Sequence, residues 1–369
     1  NRLEEYIAKG GNNQSSVEIQ QKWALFSNEI LTMAKRILKS LKEGRNQVEI
    51  TREYEAKLSD FDRFLSINMK DLSMERQTPP SNLPPTPFVS DKRVLRFPAI
   101  DFARLKEHLK VDGEDDKKVV LLGGLKMRIA RGDILGRRQT IAALANADLF
   151  ELESELPPED RVYRRLLVSE PKVKAEALKL FNLVCTNNVS GRGYLTKQED
   201  FIELLIDILT EENSDSKVRR RTLGILQNLS LRKNPQQIMI HRGLVPTCFR
   251  ILRNERSTLS TYSLDYFTAL LMNLCLRQEG REQCELLDFD IFEVLGALLQ
   301  FQSNQVWTFV NGLLFSILTS KKLKIQAKES GFLQKLKALK PTISERFQKQ
   351  IDCIIEQAEK EENPLAQSF

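Results

Sequence analysis

The sequence predicts an all-α fold: a right-handed superhelical solenoid of helical repeats, preceded by a long helix or a helical coiled-coil segment. The main observation is a repeat, because the segment NLSLR at residues 228–232 returns 45 residues later as NLCLR at residues 273–277. The second is a register of polar residues, Asn182, Asn228, Asn273 and Ser316, at steps of 46, 45 and 43 residues. Apolar residues inside each unit follow helical spacing.

A period of roughly 40 to 47 residues with helical spacing indicates an armadillo-like or HEAT-like solenoid. Gly243 is predicted to break a short helix from the next one, since glycine tolerates the positive φ of a helix exit. Pro246 fits the first turn of the helix that follows Gly243. Gly331 is predicted to make the same kind of break two units later. Solenoids of this kind offer a long surface instead of an active-site cleft.

A heptad pattern in residues 1–75 predicts a coiled-coil-like helical segment. Polar residues occupy the seam near Gly44, so one long helix and a helical hairpin broken there are both consistent with the pattern. The seam would pack on the chain's own repeats, or pair with a second copy or another protein. Its apolar residues are Ile19, Trp23, Phe26, Ile30, Met33, Ile37, Leu58, Phe61, Leu65 and Leu72.

Residues 76–98 are predicted to form a linker, because they contain six of the 13 prolines of the chain. Proline at this density excludes a helix and favours extended polyproline II. The linker separates the heptad segment from the repeats.

The sequence predicts that residues 99–359 form the armadillo-like domain and that residues 360–369 form a flexible tail. Helices over 99–110, 119–130 and 138–147 are interpreted as degenerate N-terminal repeats, since terminal repeats are usually atypical. Further helices are predicted over 160–168, 172–187 and, at the end, 347–359. Residues 191–193, Gly-Arg-Gly, are assigned to a turn.

Composition excludes a disordered chain, since hydrophobic residues make up 41%. No stretch approaches the ~20 apolar residues that a membrane-spanning helix needs. The five cysteines form no C-x-x-C pair, so we expect reduced, buried thiols in the cytoplasm. The 56 basic and 50 acidic residues give +6, which allows an acidic partner without requiring one. The chain begins with Asn, so we expect a piece of a longer protein.

The sequence predicts no catalytic, cofactor or metal site. His108 and His241 are the only histidines, and the glycine-rich phosphate-binding and nucleophile motifs are absent. The acidic run over 112–116 lacks the ligand spacing of a calcium loop. The basic clusters lack the interleaved aromatic residues that stack nucleic-acid bases. We therefore expect a non-enzymatic protein that binds neither nucleic acid nor a cofactor and does not insert into membranes.

The repeated asparagines are the candidate binding residues. In an armadillo unit the third helix lines the concave face, and an amide there offers a donor and an acceptor to the backbone of an extended peptide. Asn182, Asn228 and Asn273 occupy that place, and the alternative is that they bond their own chain. Nuclear-import armadillo proteins carry Trp four residues before each such Asn, where this chain has Leu178, Gly224 and Ala269.

Basic residues cluster at 219–221, at 232–233 and at 321–322. Arg232 and Arg277 are equivalent by repeat, so stacking is expected to align them on one edge. There they would either face an acidic partner, such as the tubulin tails, or belong to a solvated face.

Several segments together resemble the armadillo-repeat-containing protein 9 family. They are RTLGILQNLSLR at 221–232, MIHRGL at 239–244, ALLMNLCLR at 269–277, VNGLLFSIL at 310–318 and FPAIDFARLK at 97–106. The resemblance covers about residues 95–355. It implies a protein of the basal body, axoneme or ciliary tip that supports ciliogenesis and axonemal microtubule stability with a TOG-array partner.

Our hypothesis from the sequence is a ciliary scaffold whose repeat groove and heptad segment each hold a different protein partner. The alternative is a cytoplasmic armadillo adaptor for cargo or signalling proteins unrelated to cilia.

Overall fold

The structure is a computed structural model, and it describes residues 100–212, 215–301 and 303–360. The predicted heptad seam from Ile19 to Leu72, the linker over 76–98 and the tail after Lys360 lie outside the described residues. They stay predictions.

Regular structure in the described ranges is helical throughout. It opens with α1 Phe102–Lys110 and α2 Asp115–Arg131. Units of three helices follow. The first contains α3 Ile134–Asn146, a short 3-10 turn, α4 Val162–Val168 and α5 Pro171–Cys185. The second contains α6 Val189–Leu195, α7 Glu199–Glu211 and α8 Lys217–Leu229.

The later units repeat this order of a first, a second and a third helix. The next contains α9 Lys233–His241, α10 Leu244–Glu255 and α11 Thr261–Cys275. It is followed by α12 Gln278–Glu285, α13 Ile291–Leu298 and α14 Asn304–Ile317. The last contains α15 Lys321–Glu329, α16 Phe332–Leu339 and α17 Glu345–Glu359.

The units stack through equivalent helices. The third helices pack in the order α2, α5, α8, α11, α14 and α17, each against the next. We call this row the third-helix ladder. Second helices also meet across units, as α10 meets α13 and α13 meets α16. The predicted solenoid of three-helix repeats is therefore confirmed in the described part of the chain.

Local sequence signals set the ends of these helices. Ser216, Ser260 and Ser303 each cap a third helix, because their hydroxyl oxygens accept a hydrogen bond from the backbone N–H three residues on. Gly243 and Gly331 separate first from second helices with φ of +71° and +67°. The breaks predicted at these two glycines are confirmed.

An apolar core runs along the stack, built from residues of all three helices in each unit. In the first units it is aromatic: the Phe181 ring lies 4.7 Å from Phe150 and 5.2 Å from Phe201, edge to face in both pairs. Edge-to-face rings favour each other electrostatically and bury a large apolar area.

The turn predicted over 191–193 is wrong, because these residues lie in helix α6. A Cβ added to Gly191 would collide with the carbonyl oxygen of Val184 at the end of α5. Gly280 has the same place in α12, where a Cβ would collide with the carbonyl oxygen of Leu274. Glycine is here a close-packing residue within a helix, and a helix this short has too few turns to show a period.

Candidate protein-binding surface

The candidate binding surface consists of the solvent-facing side chains of the third-helix ladder, and we call it the third-helix surface. The polar register found in the sequence falls at the ends of these helices, with Asn182 in α5, Asn228 in α8, Asn273 in α11 and Ser316 in α14. The sequence therefore located the ladder correctly.

Two of the three asparagines are buried and bonded to their own chain. Asn228 is 8% exposed, and its Nδ2 donates to the carbonyl oxygen of Gly224 at 2.8 Å. Asn273 is 5% exposed, and its Nδ2 donates to the hydroxyl oxygen of Ser230 in the preceding unit at 2.9 Å. Ser316, one unit later, donates to the carbonyl oxygen of Cys275 at 2.5 Å. The last two bonds link consecutive units.

Of the three asparagines in the register, Asn182 is the one whose side chain is partly exposed. Its Oδ1 lies 3.5 Å from the Thr186 hydroxyl, a long contact within the same unit. Contact between any of the three asparagines and a bound peptide stays a prediction.

Arg232 and Arg277 lie at equivalent positions, immediately before the first residue of α9 and of α12. They are therefore at the turn after each third helix and not on the ladder itself. Arg232 Nη1 lies 3.5 Å from the carbonyl oxygen of Val189, and Arg277 Nε lies 3.9 Å from Glu279 Oε2. Their role toward an acidic partner stays a prediction.

Gly224 is at one of the positions where nuclear-import armadillo proteins carry Trp, and Gly312 lies four residues before Ser316 in the same register; neighbouring side chains lie over both glycines. An ideal Cβ on Gly224 would be 2.6 Å from the hydroxyl oxygen of Tyr262 and 3.2 Å from Asn182 Oδ1. An ideal Cβ on Gly312 would be 2.7 Å from the sulfur of Met272. The glycines therefore let a side chain of the adjoining unit lie against the helix backbone.

The three consecutive arginines of α8 lie in different environments. Arg219 is 2% exposed, and its Nη2 lies 3.1 Å from Glu255 Oε1. Arg220 Nη1 lies 3.1 Å from Asp215 Oδ2. Arg221 is partly exposed on the third-helix surface, and no hydrogen bond or ion pair within the described ranges engages it. Burial lowers its pKa, and the nearby charge of Glu176 opposes that shift.

Aromatic side chains adjoin Arg221 on α11. The Tyr262 and Tyr266 rings stack with centroids 4.2 Å apart and planes 22° apart. Tyr262 is 37% exposed, so the stack presents one face to solvent. The pKa of the Tyr262 hydroxyl is raised, and burial is the largest cause.

The cysteines are free thiols. Cys185, Cys248, Cys275 and Cys284 are buried as expected, whereas Cys353 is exposed on α17, so the expectation is wrong there. Burial raises the pKa of Cys185 to about 12. Across the described ranges, no group of His, Cys, Asp and Glu side chains could hold a metal ion, and no helix is long and apolar enough to cross a membrane.

Solved structures with this fold define the class of protein. A computationally designed armadillo repeat protein for modular peptide recognition matches with a TM-score of 0.57 and 16% identity, over 70% of this chain and 99% of that one. A designed armadillo repeat protein in complex with the peptide (KR)4 matches with a TM-score of 0.55, over 70% of this chain and all of that one. The described fold is an armadillo repeat fold, a class that provides protein-binding and peptide-binding surfaces.

The family follows from sequence relatives. Residues 239–359 match the family model for the ARM repeats of LisH domain-containing protein ARMC9. The protein of that name from Bos taurus is 32% identical over 73% of this chain and 40% of its own length, and the one from Danio rerio is 32% identical over 72% and 32%. The chain therefore belongs to the armadillo-repeat-containing protein 9 family, and it spans two fifths or less of the length of these relatives.

Proposed function

We propose that this chain is a non-enzymatic scaffold of the cilium that holds a segment of a partner protein on its third-helix surface. The observation that carries the proposal is the unbroken ladder of third helices from α2 to α17, in a chain of this family. A stack of repeats presents one long, shallow surface, which suits an extended partner segment.

The ciliary part of the proposal is supported by family membership. In this proposal the partners are a TOG-array microtubule regulator and tubulin. The chain acts at the basal body, the axoneme or the ciliary tip. The heptad segment over 19–72 is proposed to hold a second partner or a second copy of the chain. A cytoplasmic adaptor for cargo or signalling proteins is the competing function.

Co-sedimentation with microtubules tests whether the repeats contact tubulin. The chain is spun with intact microtubules and with microtubules whose acidic tails have been removed, at low and at moderate salt. Tail-dependent, salt-sensitive pelleting would mean that the chain binds the lattice directly, since exposed charge pairs weaken as ionic strength rises. An absence of pelleting would contradict direct binding and leave contact through another protein.

Localisation in a ciliated cell tests the cellular assignment. The tagged full-length protein should concentrate at the basal body or along the axoneme. A uniform cytoplasmic signal, with no enrichment at the cilium, would contradict the ciliary role and favour the adaptor.

A further inference from the structure

Charge is divided unevenly along the third-helix surface. Solvent-facing basic side chains occur on α2, α5 and α8, whereas α14 has no charged residue and α11 has only Asp265. In their place α11 and α14 present Tyr262, Tyr266, Met272 and Phe315. The basic residues of these three helices that are not buried are Lys117, Lys126, Arg128, Arg131, Lys172, Lys174, Lys179, Lys217, Arg220 and Arg221.

Three carboxylates near this basic half, those of Glu176, Asp116 and Asp215, are already engaged. Glu176 lies between Lys126 Nζ, at 2.8 Å, and Lys179. Asp116 Oδ1 lies 2.6 Å from Lys172 Nζ. Burial alone would raise the pKa of Glu176, and the two lysines reverse that effect, so its net pKa is lowered and it stays ionised.

Asp215 is engaged in a different way. It pairs with Arg220, accepts a hydrogen bond from the backbone N–H of Ser260 at 2.9 Å, and accepts another from the Ser263 hydroxyl. Two basic side chains of α8 are then left over: Lys217 is exposed, and Arg221 is half-buried. Neither has an ion-pair partner in the described part of the chain.

The Arg221 guanidinium has lost part of its hydration through burial, and Glu176 acts on it only as a nearby charge and not as a hydrogen-bonded partner. Among protein groups, a carboxylate is the acceptor that best matches the planar fork of N–H donors on a guanidinium. Tyr262 of α11 lies near enough to interact electrostatically with Arg221, and Lys217 lies four residues before Arg221 on the same helix, hence on the same face.

We propose that the α2, α5 and α8 part of the third-helix surface binds an acidic segment of a partner protein, with one carboxylate of that segment on Arg221. A neighbouring carboxylate of the segment meets Lys217. The α11 and α14 part, where Asp265 is the one charged residue, takes the apolar residues that continue the segment. The charge division thereby places the acidic part of the segment on α2, α5 and α8 and its apolar part on α11 and α14. This inference rests on the proposed scaffold function and names the chemistry of its partner.

The binding test uses the whole chain and a fluorescent octapeptide that alternates Glu and Thr, read by anisotropy. An extended peptide of this pattern presents its carboxylates on one side. The matched controls are the octapeptide with Lys in place of Glu and a single-stranded DNA octamer, which is an anion of another class.

Arg221→Gln should weaken binding of the acidic peptide by about five- to tenfold, because the charge-assisted pair is lost. Arg250→Gln removes the same charge from an exposed position of α10, off the third-helix surface, and should leave the affinity within about twofold. Three outcomes would overturn the inference. The two variants could lose affinity equally, or the acidic peptide could fail to bind. The DNA octamer could also bind as tightly as the peptide, with the same dependence on Arg221.

A footprint on the unmodified chain does not depend on whether a variant folds. Bound acidic peptide should protect Lys217 from acetylation and leave Lys335, exposed on α16, as reactive as before. Unchanged reactivity of Lys217 under saturating peptide would place the peptide elsewhere and overturn the inference. The probe is a synthetic peptide, so a failure of this peptide to bind would not bear on whether the protein localises to cilia. Absence of the protein from cilia would likewise not change the result of the peptide experiment.

Discussion

Arg219, Arg220 and Arg221 are adjacent in sequence and have three different roles in the structure. The first is a buried ion-pair partner of Glu255, the second pairs with Asp215 at the loop before α8, and the third faces solvent without a pair among the described residues. Rotation of 100° per residue along a helix explains the division, since consecutive residues cannot share a face. The basic cluster is therefore two structural residues beside one, Arg221, that we propose to bind a partner.

The buried leucines of the third helices give a prediction at this scale. Leu271 on α11 is fully buried, so Leu271→Ala should lower the free energy of unfolding by about 2–5 kcal/mol through lost burial and an unfilled cavity. Leu276→Ala is the control, because Leu276 follows the same helix and is 62% exposed, and it should change stability by no more than about 0.5 kcal/mol. Urea unfolding measures both, and similar losses would contradict the burial of Leu271.

At the scale of elements, two first helices bring their third residue against the end of the preceding third helix. That residue is Gly191 in α6, next to the Val184 carbonyl, and Gly280 in α12, next to the Leu274 carbonyl, and both are buried. The carbonyl groups at the end of a helix have no partners within it, so a neighbouring backbone can approach them closely. Each of these contacts joins one unit to the next.

Gly191→Ala tests that contact. The new methyl group would meet the carbonyl oxygen of Val184, so α6 must move away from α5, and we expect a loss of about 1–3 kcal/mol. Gly123→Ala in α2 is the matched control: no atom lies within 4 Å of its added Cβ. There the better helix propensity of Ala should stabilise the fold by about 0.5–1 kcal/mol. Thermal melts compare the two, and stabilisation by both would refute a close approach at Gly191.

At the scale of the whole molecule, stability is shared among neighbouring units instead of one central core. Each unit contacts the units before and after it, and hydrogen bonds such as Asn273 to Ser230 join them. The energy of such a stack is approximately a sum over units and over the interfaces between them. Among the described units, interior ones are therefore held on two sides and those at the two ends of the described range on one.

Amide hydrogen exchange tests this distribution. Within the described residues α17 has a third-helix neighbour only in α14, whereas α8 lies between α5 and α11. Amides of α17 should therefore exchange faster than amides of α8 under native conditions, since local opening of an end unit breaks one interface. Equal protection of the two helices would indicate that the described units unfold as a single cooperative block.

The sequence by itself determined the repeat period, the three-helix unit, the breaks at Gly243 and Gly331 and the family. These follow from patterns that recur in each unit, because burial imposes the same helical spacing every time. Tertiary structure alone decided which polar groups are free to bind. Asn273 and Ser230 are 43 residues apart, Gly224 is covered by Tyr262 of the next unit, and Arg221 differs from Arg219 and Arg220 by its neighbours on α5 and α11. Such partners come from other units of the stack, and the spacing within one unit carries no information about them.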